Sequence, residues 1–272
     1  MYSVDFEYDG KKLSDFGYII CSFEQSSGPN VKDKGSEISF ITSPIQSGLR
    51  FLNGGTKYEE CLTTTFQICK DPSFFDTNEM EVSAEDFRRL SRWLNRRKFL
   101  WFRASDWCDP EKARPWVRAS FTLGRIDVGN VTYGIELEMV TDSPFAYGDE
   151  ITKTFTFTSN SLTASFKDEN DEIGEFFPAL KITCGQSGDL TISNSKTGCE
   201  CSVDNCITGE VIEFSGDTKI ISTTSPTHDI ANDFNYSFYS IGNTYSDRVN
   251  DMTVSIPCTV EMTYRPIYKD TL

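Results

Sequence analysis

A chain of 272 residues has room for two ordinary domains, and its hydrophobic content of 38% is enough to fill two cores rather than leave it disordered. With 26 basic against 41 acidic residues the net charge is −15, which opposes both phosphate contacts to nucleic acid and attraction to an anionic membrane surface. No apolar run approaches the roughly 18 residues a spanning helix needs. The start, Met1 to Glu7, lacks the basic and apolar regions of a signal peptide, and the single histidine, His228, excludes multi-histidine metal centres.

In chain order, Ser3 to Tyr8 alternates as a strand, Asp9-Gly10 is a hairpin dipeptide, and Phe16 to Phe23 reads as the returning strand. Glu24 to Glu37 is polar and Gly/Pro-punctuated, an exposed loop, and Leu62 to Cys69 has strong β-propensity. One helix interrupts the strands. Ser83 is its N-cap and Asp86 its capping-box partner, and Phe87, Leu90, Trp93 and Leu94 form an apolar stripe running to about Arg97. Arg88, Arg92 and Arg96 form a second row, read as a solvated face or one paired with acids of a neighbouring subunit. Strands follow at Phe99–Arg103, Trp116–Phe121 and Val131–Val140, with Asp109-Pro110 turning the chain between the first two.

Asp142 to Gly148 is the natural boundary, bracketed by Pro and Gly, so the division expected is 1–148 and 149–272. Charge supports it: residues 1–149 carry 18 basic and 23 acidic residues, residues 150–272 carry 8 and 18. The second part reads as β throughout, with strands at Lys153–Thr158, Ala179–Cys184, Asp189–Ser193, Glu210–Phe214, Lys219–Thr223, Tyr236–Ile241, Met252–Ile256 and Thr259–Tyr264. Turn signals recur roughly every 8 to 12 residues, the rhythm of a sandwich or jelly roll.

Nine cysteines, an odd number, read as free thiols, most of them small buried hydrophobes. Cys199, Cys201 and Cys206, with Cys184, are the one metal-like cluster, but no second close Cys pair completes a zinc tetrahedron, so the thiols are read as structural or as an adventitious disulfide. His228 lies in the loop Ser225 to Asp229 and reads as solvated or capping. The run Asp168-Glu169-Asn170-Asp171-Glu172 reads as solvated surface, with neither the spacing of a calcium loop nor evidence of a glycosidase pair. No nucleophile elbow or phosphate-cradling loop appears. No catalytic, cofactor-binding or metal-ligating residue is assigned.

The order of features is informative. Phe6-x-Tyr8-Asp9-Gly10-Lys11-x-Leu13-Ser14-Asp15-Phe16-Gly17, the helix bearing Arg92-Trp93-Leu94, Asp142-Ser143-Pro144-Phe145-Ala146-Tyr147, Gly242-Asn243-Thr244 before Met252 to Ser255, and Glu261 to Arg265 together resemble the siphophage distal tail (Dit) proteins across nearly the whole chain. The Trp- and charge-rich stretch from Leu100 to Phe121 and the Cys199–Cys206 stretch depart from that pattern.

The resemblance implies a mainly β protein: an N-terminal β-sandwich with one helix and an extended arm, then a galectin-like or jelly-roll sandwich. It implies a non-enzymatic virion component at the tail tip, made in the bacterial cytoplasm and without cofactor. Its partners would be five further copies in a homohexameric ring, the tail tube protein, the tail-associated tip protein and, in some phages, receptor-binding proteins. Segments 24–37 and 42–57, which carry Leu49, Phe51 and Leu52 and bracket Ser39-Phe40-Ile41, are material for the arm. An acidic channel wall would let DNA pass without sticking. The alternative is a jelly-roll protein that binds cell-surface glycans through exposed aromatic residues.

Overall fold

The computed structural model describes residues 4–23, 37–45, 50–105 and 114–269. These form two compact units. One takes the described residues up to Gly148 together with Tyr268 and Lys269, and the other runs from Asp149 to Ile267.

The first unit contains β1 (Phe6–Tyr8), β2 (Lys11–Lys12), β3 (Tyr18–Cys21), β4 (Ile38–Ile45), β5 (Arg50–Tyr58), β6 (Thr63–Lys70), helix α1 (Ala84–Leu94), β7 (Leu100–Ala104), β8 (Val117–Val128), β9 (Val131–Thr141) and β10 (Ala146–Tyr147). Seven of these strands make one antiparallel sheet in the order β2-β1-β7-β8-β9-β6-β3. The sheet curls until its ends meet, where the Ile20 N–H donates to the Val4 carbonyl at 2.9 Å. One sheet thus supplies both layers, with α1 laid against it. Asp9 and Gly10 both adopt left-handed conformations (φ 53° and 71°), which the tight turn between β1 and β2 requires. The return strand is only Lys11–Lys12. Leu13–Phe16 turns as a short 3-10 helix instead, and the Phe16–Phe23 segment expected to pair with β1 runs along β6 as β3.

Helix α1 begins where its caps dictate: the Ser83 hydroxyl accepts the Asp86 N–H at 3.1 Å and the Asp86 carboxylate accepts the Ser83 N–H at 3.3 Å. It stops at Leu94, earlier than expected, because Asn95 leaves the helical conformation and its side-chain amide donates to the Phe121 carbonyl of β8 at 3.0 Å. Leu90, Trp93 and Leu94 are buried, and Trp93 stacks on Phe6 (5.7 Å) and Phe16 (4.2 Å) while its indole N–H donates to the Tyr8 carbonyl. Arg88, Arg92 and Arg96 stay at the surface, with Arg96 paired to Asp9 at 3.2 Å.

The second unit contains β11 (Ile151–Thr156), β12 (Thr163–Lys167), β13 (Gly174–Phe176), β14 (Ala179–Cys184), β15 (Gly188–Asn194), β16 (Cys199–Cys206), β17 (Val211–Ser215), β18 (Ile220–Thr223), the one-turn helix α2 (Ile230–Asp233), β19 (Ile241–Asn243), β20 (Val249–Val254) and β21 (Cys258–Tyr264). A five-stranded sheet, β11-β21-β14-β17-β18, faces a four-stranded sheet, β12-β20-β15-β16. Alternate residues of both, among them Leu180, Ile182, Ile192, Val203, Met252 and Val260, fill one core. Of the expected Tyr236–Ile241 strand, only Ile241 is in strand conformation.

Candidate functional site

One element stands outside this packing. Among the described residues β4 and β5 pair only with each other, as a two-stranded antiparallel ribbon that joins neither neighbouring sheet. The sequence reads much of it as turn-like, because Ser43-Pro44 and Gly54-Gly55 interrupt the alternation. The register places a bulge between Ile41 and Thr42, with Gly54 as the extra residue. Pro44 lacks an N–H and is tolerated in a strand of this kind because it has a free edge.

The side-chain pattern of the ribbon is what matters. Ile38 and Phe40 point to one face, and Ile41 and Ile45, with Leu52 opposite Ser43, to the other. All five are exposed, Phe40 at 63%, Leu52 at 58% and Ile41 at 54%. A ribbon that docked onto its own domain would be apolar on one face and polar on the other. Apolar groups on both faces need cover from both sides. At the base, Tyr58 sits edge-on to Phe145 at 4.6 Å, which ties the ribbon to the segment that closes the unit. Segment 24–36, the other stretch read as arm material, lies outside the described residues, as does Cys108.

The chemical candidates of the second unit take other places. Cys199, Cys201 and Cys206 lie on β16. Cys201 and Cys206 are core residues, and the Cys199 sulfur accepts the Ser240 N–H at 3.3 Å. Among the described residues no three His, Cys, Asp or Glu side chains are grouped to hold a metal. His228, read as solvated or capping, has a buried side chain: its Nδ1 lies 2.6 Å from Glu210 and its Nε2 3.2 Å from Asp233, a charge contact without hydrogen-bond geometry. Burial opposes the charged imidazole, but the Glu210 hydrogen bond and charge outweigh it and raise the His228 pKa. Burial likewise opposes ionised Glu210, yet the Thr223 hydroxyl, the Ile207 N–H and His228 lower its pKa.

The acidic run is also not plain surface. Asp168 is fully buried and accepts from the Asn170 amide at 2.6 Å and from the Asn243 amide, while Glu169 pairs with Lys153 at 3.2 Å. Asn194 and Asn250 extend the polar interior at 2.8 Å from each other. These groups hold loops to the sandwich. Sequence alone does not find them, because their partners are distant in the chain: Asn243 lies 75 residues beyond Asp168.

Residues 1–143 match a family described as a phage tail protein N-terminal domain, and residues 145–264 one described as a phage tail C-terminal domain. The chain belongs to this phage tail family. No curated protein sequence matches it. Two solved structures share the fold of this tail protein over almost their whole length. The SPP1 Dit (gp 19.1) protein, described as a paradigm of the hub adsorption apparatus in phages infecting Gram-positive hosts, superposes with a TM-score of 0.65 at 13% identity, covering 96% of this chain and 98% of its own. A chain of the phage P2 baseplate in its activated, calcium-containing conformation superposes with a TM-score of 0.53 at 8% identity, covering 97% and 98%. The tail protein therefore has the mainly β fold of the distal tail family. Among its described residues no helix is long and apolar enough to cross a membrane.

Proposed function

We propose that this tail protein is the structural hub of the tail tip: six copies close into a ring that joins the last tail-tube ring to the tip protein and its receptor-binding apparatus. The observation that carries the reading is the β4–β5 ribbon, whose apolar residues on both faces match an arm laid between subunits. A ring needs a heterologous contact that closes, and an arm reaching onto the next copy is a contact of that kind. The hub description of the SPP1 relative supports the same role. In the second unit, most successive strands cross from one sheet to the other, which we read as a jelly roll displayed from the ring. The protein works by geometry, in the virion, and makes or breaks no bonds in a substrate.

Light scattering of the purified chain is expected to give about six times the monomer mass, with annular particles in negative stain. Phe40→Asp with Leu52→Asp is expected to leave a folded monomer. A wild-type chain that stays monomeric at high concentration, with no annular particles, overturns the proposal.

A second reading rests on one feature. A cavity of about 510 Å³ in the second unit is lined by Phe177, Tyr236 and Phe238, with Glu175 and Lys219 as its charged groups. Tyr236 and Lys219 are both non-glycine residues held at positive φ (58° and 55°), a strain that clusters at ligand sites. Exposed aromatic rings beside a carboxylate and hydroxyls suit a saccharide of the host surface. A glycan array read with wild type and Tyr236→Ala tests it; a blank array for both removes it.

A further inference from the structure

The core of the second unit holds two free thiols directly opposite each other. Cys184 ends β14 and Cys258 opens β21, and the register pairs them two positions beyond Ile182 and Val260. Like that pair, both side chains face the core. Their backbone groups turn away from each other to outer neighbours: the Cys184 N–H donates to the Glu210 carbonyl at 2.9 Å, and the Cys258 carbonyl accepts the Phe157 N–H at 2.8 Å. The two are therefore a non-hydrogen-bonded pair, the kind whose Cα atoms lie about 4.5 Å apart. A disulfide bridges Cα separations of about 4.4–6.8 Å, so the bond fits the register as it stands, at the short end of the range where strain keeps it reducible. The next residue pins that register. The Gly185 N–H donates to the Pro257 carbonyl at 2.9 Å, and a Cβ at Gly185 would stand 3.0 Å from the same oxygen, so a glycine lets the two chains close up beside the thiols.

We propose that Cys184 and Cys258 are a covalent modification site: a hydroperoxide oxidises them to a disulfide that joins β14 to β21. At 1% and 3% exposure both thiols are shielded in the closed fold, so the oxidant reaches them when the strand ends open. The pair sits at that end, next to the exposed Gly185, Gln186 and Ser187. Burial pushes the Cys258 thiol up to about 12, which holds it protonated and leaves Cys184 to attack first. In the first step the Cys184 sulfur attacks the peroxide, an S–O bond forms as the O–O bond breaks, and the departing hydroxide leaves with the Cys184 proton as one water. In the second the Cys258 sulfur attacks the Cys184 sulfenic acid, the S–S bond forms as the S–O bond breaks, and the hydroxyl leaves with the Cys258 proton as a second water. Two thiols lose two electrons and hydrogen peroxide gains them. A particle that leaves a reducing cytoplasm for an oxidising exterior passes between the two states. The closed loop contains β15 to β20 and α2, and with them Asn194, Glu210, His228, Asn243 and Asn250, so one bond constrains most of the second unit. It does not depend on the hub reading.

Cys206 is the competing partner, since it hydrogen-bonds with Cys184 across the core. It comes from β16 of the facing sheet, where no ladder sets it opposite either thiol, and its S–H also points to the Val203 carbonyl at 3.3 Å. Trypsin separates the three: Cys184 lies in residues 182–196, Cys206 in 197–219 and Cys258 in 249–269, and a link between any two is read from the peptides it joins.

The experiment treats the purified, reduced full chain with hydrogen peroxide, in buffer and in sub-denaturing urea, then maps peptides without reduction. The expected result is a link between 182–196 and 249–269, faster in urea, reversed by dithiothreitol, with the melting temperature of the second unit raised by about 5–10 °C. Cys206→Ala should form the same link. Cys258→Ala should form none, and a sulfenic-acid probe should label its Cys184; should this variant fold poorly, the wild-type map decides alone. The proposal is overturned if Cys184 and Cys258 stay titratable in both solvents, if Cys184 links to Cys206 instead, or if the link is lost in a folded Cys206→Ala chain. Because the linked peptide is read on any oligomer, failure of this chemistry and failure of the ring are separate outcomes.

Discussion

The two units hold together by different means. In the first, Phe6, Tyr8, Phe66, Trp93, Phe102 and Phe121 interlock within 6.2 Å centroid distances, and the rest of the interior is mainly apolar, with Lys70, Thr132 and Thr141 its buried polar residues. In the second, a similar sandwich core is joined by buried polar side chains: Asp168, Asn170, Asn194, Glu210, Asn243 and Asn250. Apolar packing is non-directional and degrades by degrees when volume is lost. A buried polar network fixes which loop lies where, and fails as a unit when one partner is removed. The first unit can therefore carry an arm whose own residues contribute little to its stability, while the second is built to hold loops in register.

Volume loss in the aromatic cluster sets the largest expected effect. Phe102→Ala removes a ring packed against Phe6 (5.3 Å) and Phe121 (5.5 Å), and is expected to cost about 3–5 kcal/mol in chemical denaturation of the first unit. The second unit's transition should not move. If it does, the two units do not unfold independently and the contrast between them fails. Next comes Glu210→Ala. It strips the buried His228 of its 2.6 Å partner and leaves the Ile207 N–H and Thr223 hydroxyl unmatched, at a cost of about 3 kcal/mol confined to the second unit. Glu210→Gln, which keeps the shape, is expected to lose less. An equal loss from both would mean that volume, not charge, is what the site supplies.

What the sequence disclosed follows the same division. Local signals were legible: Ser83 and Asp86 open the helix as expected, and Ala179–Cys184 has the boundaries read from alternation alone. The arm was legible only as apolar residues in turn-like surroundings, since Pro44, Gly54 and the bulge disrupt its period and no other strand among the described residues completes it. The burial of Asp168 and of the His228 side chain was not legible because nothing within a few residues shows what covers them. Glu210 lies 18 residues before His228, and sequence periodicity is blind to such pairs. Phe16–Phe23 went to the wrong neighbour for a related reason: Asp9-Gly10 correctly signals a tight turn, but the two-residue strand that answers it carries no pattern of its own.

A pH series sharpens the comparison further. His228 has a raised folded pKa, so its contribution is complete below its ordinary value near 6.5 and is lost as pH rises through the folded value. Glu210 has a lowered folded pKa, so its contribution is complete above about 4.5 and is lost as pH falls through the folded value. The second unit's melting temperature should peak between these limits, and His228→Gln should remove the alkaline decline. A first-unit transition that follows the same curve would locate the dependence elsewhere.

The smallest effect expected lies at the helix cap. Ser83→Ala removes the hydroxyl that accepts the Asp86 N–H, but leaves Asp86 its Lys70 partner at 3.2 Å, in a site where Lys70 also donates to the Glu79 carbonyl. The loss should be about 1 kcal/mol, appearing only in the first unit's transition. Ser83→Asp restores an acceptor at the helix N-terminus but sets a second carboxylate beside Asp86. It should therefore recover only part of the loss, and more of it as pH falls and one of the two acids protonates. Full recovery at neutral pH would show that Lys70 already neutralises the pair, and that the cap is held by charge rather than by the hydroxyl.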